Sequence, residues 1–171
     1  MDTAERIHRA KHPRSIVAGP YGHPFHPVAV TIPIGAWTAA LVFDIVALVS
    51  DGPAFATGAT LLVGIGLVGA VLAAALGFMD LTQIARGTVA HRTALVHMTL
   101  NLLATALFTV GLVLRLVAGA DHPHLGAFVV SAIAFLLVGA SGYLGGKLAY
   151  RWGVRVADEG TQAEGFRTHG G

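Results

Sequence analysis

Nine histidines and no cysteine set the chemistry open to this chain. Without a thiol, disulfides, thiolate-held iron–sulfur clusters and cysteine nucleophiles are excluded. Imidazole is the commonest metal ligand, and four of the nine lie near one end of the apolar pattern. His23 and His26 stand where a first apolar run begins, while His91 and His97 open the third. His97 belongs to a stripe, Thr93, His97, Asn101 and Thr105, which recurs every four residues on one helical face. Lipid cannot satisfy such a stripe, so it must face other helices. His91 and His97 differ by six positions, roughly 240° around a helix, and cannot bind one centre together; His91 is read as interfacial. Two histidines from different helices are what axial haem ligation in a bundle needs. His26 and His97 are therefore candidate axial ligands. His23, His91, Asp80 and Asn101 are secondary candidates, with Asp80 and Asn101 expected to orient imidazoles or relay protons. The bland alternative is that His97 and Asn101 only hydrogen-bond across helices. His122 and His124 flank a proline in a turn, a weak metal site at most; His8, His12 and His169 fall in the terminal segments.

The elements that position these residues follow from where charge is missing. The chain has 171 residues, 54% hydrophobic and only 12% charged, against roughly 25% charged in a typical soluble domain. Asp44 is the only Asp, Glu, Lys or Arg within 27–50, 53–79, 93–114 and 125–146. Each run reaches the roughly 20 apolar residues that cross a bilayer core. A water-soluble bundle would need wet faces that these runs lack. The expected fold is an all-α integral membrane protein, a four-helix up-down transmembrane bundle with short antiparallel links. Residues 1–21 form a basic N-terminal segment, 22–156 the four-span domain, and 157–171 a tail; both ends are expected to be mobile. The segment 80–92 is expected to be partly interfacial helix, and Pro33 to kink the first span. No tandem repeat is evident, and Met1–Arg14 leads to no apolar stretch long enough for a secretory leader.

Ten of the eleven Lys and Arg residues fall on the side of the two termini, leaving Arg115 alone on the other. By the positive-inside rule both termini are expected to be cytoplasmic in a cell (inner) membrane. The basic collar suits anionic lipid, and no nucleic-acid partner is expected. Asp44 lies roughly 10 Å inside the opposite face, with Arg115 at comparable depth on the third span. A structural Asp44–Arg115 ion pair is the expectation, and a proton or cation site at Asp44 the alternative. Gly64-x-Gly66-x-x-Gly69 matches a dinucleotide fingerprint in letters only, because it lies mid-span with no strand before it. Gly69, Ala73 and Gly77, and likewise Gly142 and Gly146, have the small-residue spacing that lets helices approach closely or oligomerise. Gly66, Gly69, Gly142 and Gly145 are candidates to leave space for a porphyrin.

One assembly of residues resembles a known family. It comprises His23-Pro24-x-His26-Pro27-Val28 with Pro33-Ile34-Gly35, Asp44, Gly77-x-x-Asp80, and His97-x-x-x-Asn101. It ends with Gly142-Tyr143-Leu144-Gly145-Gly146, Tyr150 and Gly153-Val154. In order and spacing this resembles the bacterial family known as domain of unknown function 2231, over roughly residues 22–156. The resemblance implies a four-span membrane protein. Fusion of some members to a Rieske-type iron–sulfur domain implies a place near electron transfer. Trp152 stands where the pattern implies a further histidine, and Lys147 where an acid is common, so the fourth span is left out of the expected site. The leading expectation is a small redox or cofactor-binding module, with haem b first and a transition metal second. Its partner would be a redox protein or membrane complex. The alternatives are a structural or assembly subunit without cofactor, and a proton or cation pathway. No hydrolase or transferase motif is present.

Overall fold

In hydrocarbon a backbone has no hydrogen-bond partner but itself, so long apolar runs become helices. The computed structural model describes residues 1–168. His169 and the last part of the 157–171 tail lie outside the described residues. A basic helix α1 (Thr3–Lys11) and a 3-10 turn (Ile16–Ala18) lead to α2 (Phe25–Ala29) and α3 (Thr31–Ser50), which together form the first span. Then come α4 (Pro53–Leu81), α5 (Val89–Ala118) and α6 (Leu125–Gly146), which continues into π-helical Lys147–Arg151. A short α7 (Glu159–Glu164) follows. The four long units of 26, 29, 30 and 27 residues are each long and apolar enough to cross a membrane. No strand occurs among the described residues.

Local chemistry sets the helix ends. Pro33 has no N–H to give the carbonyl of Ala29, and the first span breaks at Val30, between α2 and α3. Asp51 turns the chain in a left-handed conformation (φ 50°), and Pro53 opens α4 at a position where its missing N–H costs nothing. His124 caps α6, its Nδ1 accepting the Ala127 N–H at 3.0 Å. Between α4 and α5 the structure departs from expectation. Residues 82–88 are turns and bends, not interfacial helix, because α4 and α5 extend into the segment from both sides and Thr88 caps α5 by accepting the His91 N–H.

The spans are small inside and large outside. Ala40, Ala47, Ala59, Ala104, Ala127 and Ala134 are fully buried, whereas Val68, Val71, Leu136 and Val117 are mostly exposed. In water that distribution would be costly; in lipid, where tails are as apolar as leucine, small residues let the helices close up. Neighbouring spans pack antiparallel in two hairpins, α2–α3 with α4 and α5 with α6, and the hairpins pack less closely on each other.

The two hairpins repeat each other. His26 and His97, Trp37 and Phe108, and Asp44 and Arg115 are each separated by 71 positions and face each other as pairs at three levels of the bundle. On the second helix of each hairpin, Ala59, Ala73 and Gly77 recur 68 positions later as Ala127, Ser141 and Gly145. The expectation of no repeat is thus corrected. Half of these pairs carry different or opposite residues, and the offset changes from 71 on the first helix to 68 on the second, so letter matching does not reveal the repeat.

The terminal segments are also tied together. The Arg155 N–H donates to Ala10 O at 3.0 Å, Lys11 Nζ to Ala157 O at 3.3 Å, and Tyr21 Oη to Asp158 Oδ2 at 2.7 Å. Both ends of the chain therefore meet on one side of the bundle.

Candidate functional site

At that side, α2 and α5 bring His26 and His97 together, with ring centroids 6.3 Å apart and planes perpendicular. Each ring is anchored on the partner helix of its own hairpin. His26 Nδ1 donates to Ala73 O at 2.9 Å, and His97 Nδ1 to Ser141 O at 2.8 Å. A carbonyl only accepts, so both Nδ1 atoms carry the hydrogen and each Nε2 keeps a lone pair. One turn after each carbonyl comes a glycine under the ring. A Cβ on Gly77 would stand 2.9 Å from His26 Cε1, and one on Gly145 3.1 Å from His97 Cε1. The two half-sites are built alike and differ in one respect. His97 Nε2 accepts from Asn101 Nδ2 at 3.2 Å, and the same Asn101 nitrogen donates to Ser141 Oγ at 2.7 Å.

Below the imidazoles the inward positions are small: Pro33, Gly69, Ala73, Ala104 and Ser141 are all buried. The Trp37–Phe108 stack, centroids 3.9 Å apart, forms the next bulky layer. It lies eleven residues further on, about 16 Å along the axis. At the far end Arg115 Nη2 bonds Asp44 Oδ2, and Arg115 Nη1 donates to Gly111 O at 3.0 Å and Ser131 Oγ at 3.2 Å.

Other expected site residues are elsewhere. Asp80 does not orient an imidazole: its carboxylate lies 2.9 Å from Arg155 Nε, and both residues are buried. Counting Arg155 among the exposed basic collar misplaces it, because it leaves the surface and donates to Ala18 O and Gly19 O. His23 is exposed, its ring 3.5 Å from the Tyr21 carbonyl. His91 sits in the first turn of α5, outside the pair. The fourth span, left out of the expected site, supplies Ser141 and Gly145. Three of the glycines expected to leave porphyrin space are filled. Trp37 lies against Gly66, Ile32 and Pro33 against Gly69, and His97 itself against Gly145; Gly142 faces outward. Close packing explains their spacing. Among the described residues no three His, Asp or Glu side chains converge.

A family model described as "Predicted membrane protein (DUF2231)" matches residues 22–158, and the chain belongs to that family of predicted membrane proteins. No curated protein and no solved structure matched the chain.

Proposed function

We propose that this integral membrane protein is a small electron-transfer module that holds haem b between His26 and His97. The observation that carries the reading is the pair of imidazoles, one from each hairpin, with both Nδ1 atoms committed to carbonyls. Metal-ligating histidines characteristically give their other ring nitrogen such a partner, which fixes the tautomer and the ring. The ring centroids stand 6.3 Å apart, a separation at which both imidazoles could serve one metal ion. Haem iron needs only two protein donors: His26 Nε2 would be one, and His97 Nε2 the other once Asn101 Nδ2, from which it accepts at 3.2 Å, turns to Ser141 Oγ alone. Ala73, Ala104 and Ser141 below the imidazoles are small and buried. A macrocycle would therefore have to part the hairpins, which pack less closely on each other than the spans within each. Asn101 and Ser141 would steer His97. Bound haem would supply one-electron chemistry; the chain's residues hold it, orient it and keep water away. The partner is proposed to be a redox protein or membrane complex. The location is proposed to be the bacterial inner membrane with cytoplasmic termini, on the strength of the ten-to-one basic asymmetry.

The test is an optical spectrum, oxidised and reduced, of protein purified in mild detergent from haem-replete cells. A Soret band that is lost or shifted in His26→Ala and His97→Ala is expected. Its absence from the wild type, with no metal by elemental analysis, rejects the proposal. The Ser141–Asn101–His97 network favours a second reading, a purely structural subunit. On that reading His97→Ala lowers the melting temperature and no spectrum exists to change. The cation-pathway alternative loses support because the Asp44 carboxylate is engaged by Arg115.

A further inference from the structure

We propose that the outer face of the fourth span, at the basic end, binds the headgroup of an anionic phospholipid, with Lys147 and Arg151 taking its phosphodiester. Tyr143, Gly146, Lys147, Tyr150 and Arg151 line an open depression of about 510 Å³. It forms where the helix changes to π-helical winding over Lys147–Arg151, a deformation frequent at functional sites. Gly146 supplies the floor: a Cβ there would meet only Tyr150 Cδ2, at 3.8 Å. Around Gly142, one turn deeper, nothing lies within 4 Å of the Cβ position. An acyl chain can therefore lie against bare backbone directly below the cations.

The two cations are uncommitted. Among the described residues neither Lys147 nor Arg151 has a side-chain hydrogen bond or ion pair. Lys147 Nζ sits 5.0 Å from the centre of the Trp152 ring, an attraction that holds the ammonium without neutralising it. Tyr143 and Tyr150 are largely exposed, at the level where amphipathic rings mark the membrane interface.

The repeat shows that the fold does not require this cluster. The equivalent positions of the first hairpin, 68 earlier, carry Ala75, Phe78, Met79, Thr82 and Gln83, without a charge. The same helix end thus has no charge of its own in one hairpin, where Arg9 donates to the Thr82 carbonyl at 2.8 Å, and two cations of its own framed by tyrosines in the other. Basic pockets beside spans recognise anionic headgroups by this chemistry.

The experiment reconstitutes the full chain in bilayers of equal phosphatidylglycerol and phosphatidylcholine. The lipid kept through detergent extraction is then read by native mass spectrometry. Two cations near the surface correspond to about thirty-fold preference for the anionic lipid. Lys147→Gln with Arg151→Gln should bring retention near parity while the melting temperature is unchanged. Gly146→Leu, which fills the floor and keeps both charges, should also lower it. Equal preference in wild type and the double variant overturns the proposal. So does displacement of the lipid by millimolar inorganic phosphate, or a lipid-free dimer closed through Gly142 and Gly146.

Discussion

Asp44 and Arg115 are both buried within the spans, and each is acceptable only because the other hairpin supplies its partner. Removing one leaves the other buried and unpaired, which costs about 3–5 kcal/mol. Asp44→Ala and Arg115→Ala should each lower the thermal midpoint in detergent accordingly. The repeat adds a sharper expectation, because positions 44 and 115 are equivalent across the bundle. Asp44→Arg combined with Arg115→Asp should rebuild the pair and recover most of the loss. The recovery should fall short by about 1 kcal/mol, since Ser131, which accepts from Arg115, has the apolar Val63 as its counterpart. A swapped protein as unstable as the single variants would refute the equivalence. Arg155 obeys the same rule: in a left-handed conformation (φ 61°), it joins Asp80 to the carbonyls of Ala18 and Gly19.

At the scale of elements, glycine decides how closely the helices of each hairpin approach. A Cβ on Gly66 would stand 2.2 Å from Trp37 Nε1, so Gly66→Ala must push apart α3 and α4 at the core. Overpacking of this kind costs about 1–3 kcal/mol. Gly64, two residues earlier, has nothing within 4 Å of its Cβ position. Gly64→Ala should stabilise by up to about 1 kcal/mol through helix propensity alone. Melting curves of the two variants should move in opposite directions; a common shift would mean that the glycines act through helix flexibility and not through packing. How much of this was legible in the sequence depended on range. Hydropathy and proline act over a few residues, so the four spans, the break before Pro33 and the depth of Asp44 could be read directly. Counting residues from the span ends also brought His26 and His97 to the same end of the bundle, though not to one level. The pairing of Asp80 with Arg155 joins segments far apart in the chain and left no local mark. Ser141 was hidden for a different reason: the His97 ring donates to its backbone carbonyl, which every residue possesses.

For the whole molecule, an even number of spans returns both termini to one face, the face of the imidazole pair, and there the structure ties them together. The tie is made of small contacts between chain ends: Ala10 with Arg155, Lys11 with Ala157, and Tyr21 with Asp158. Composition gave no reason to expect them, because short polar ends are usually loose. Asp158 makes the contact measurable. Its carboxylate caps α7 by accepting the Thr161 N–H at 2.8 Å and also accepts the Tyr21 hydroxyl at 2.7 Å. These bonds favour the ionised form and hold its pKa down to about 2, with Lys11 assisting. A depressed carboxylate stabilises the folded arrangement at every pH above its ordinary value of about 3.9 and loses that contribution as pH falls through the folded value. The tie should therefore be unchanged from pH 7 to pH 4 and should loosen between pH 4 and pH 2. A carboxyl NMR titration should place the Asp158 midpoint near 2, and Tyr21→Phe should move it upward. A wild-type midpoint near 4 would mean that the chain ends do not hold each other through Tyr21 and Asp158 in solution, and that any tie between them depends on other contacts.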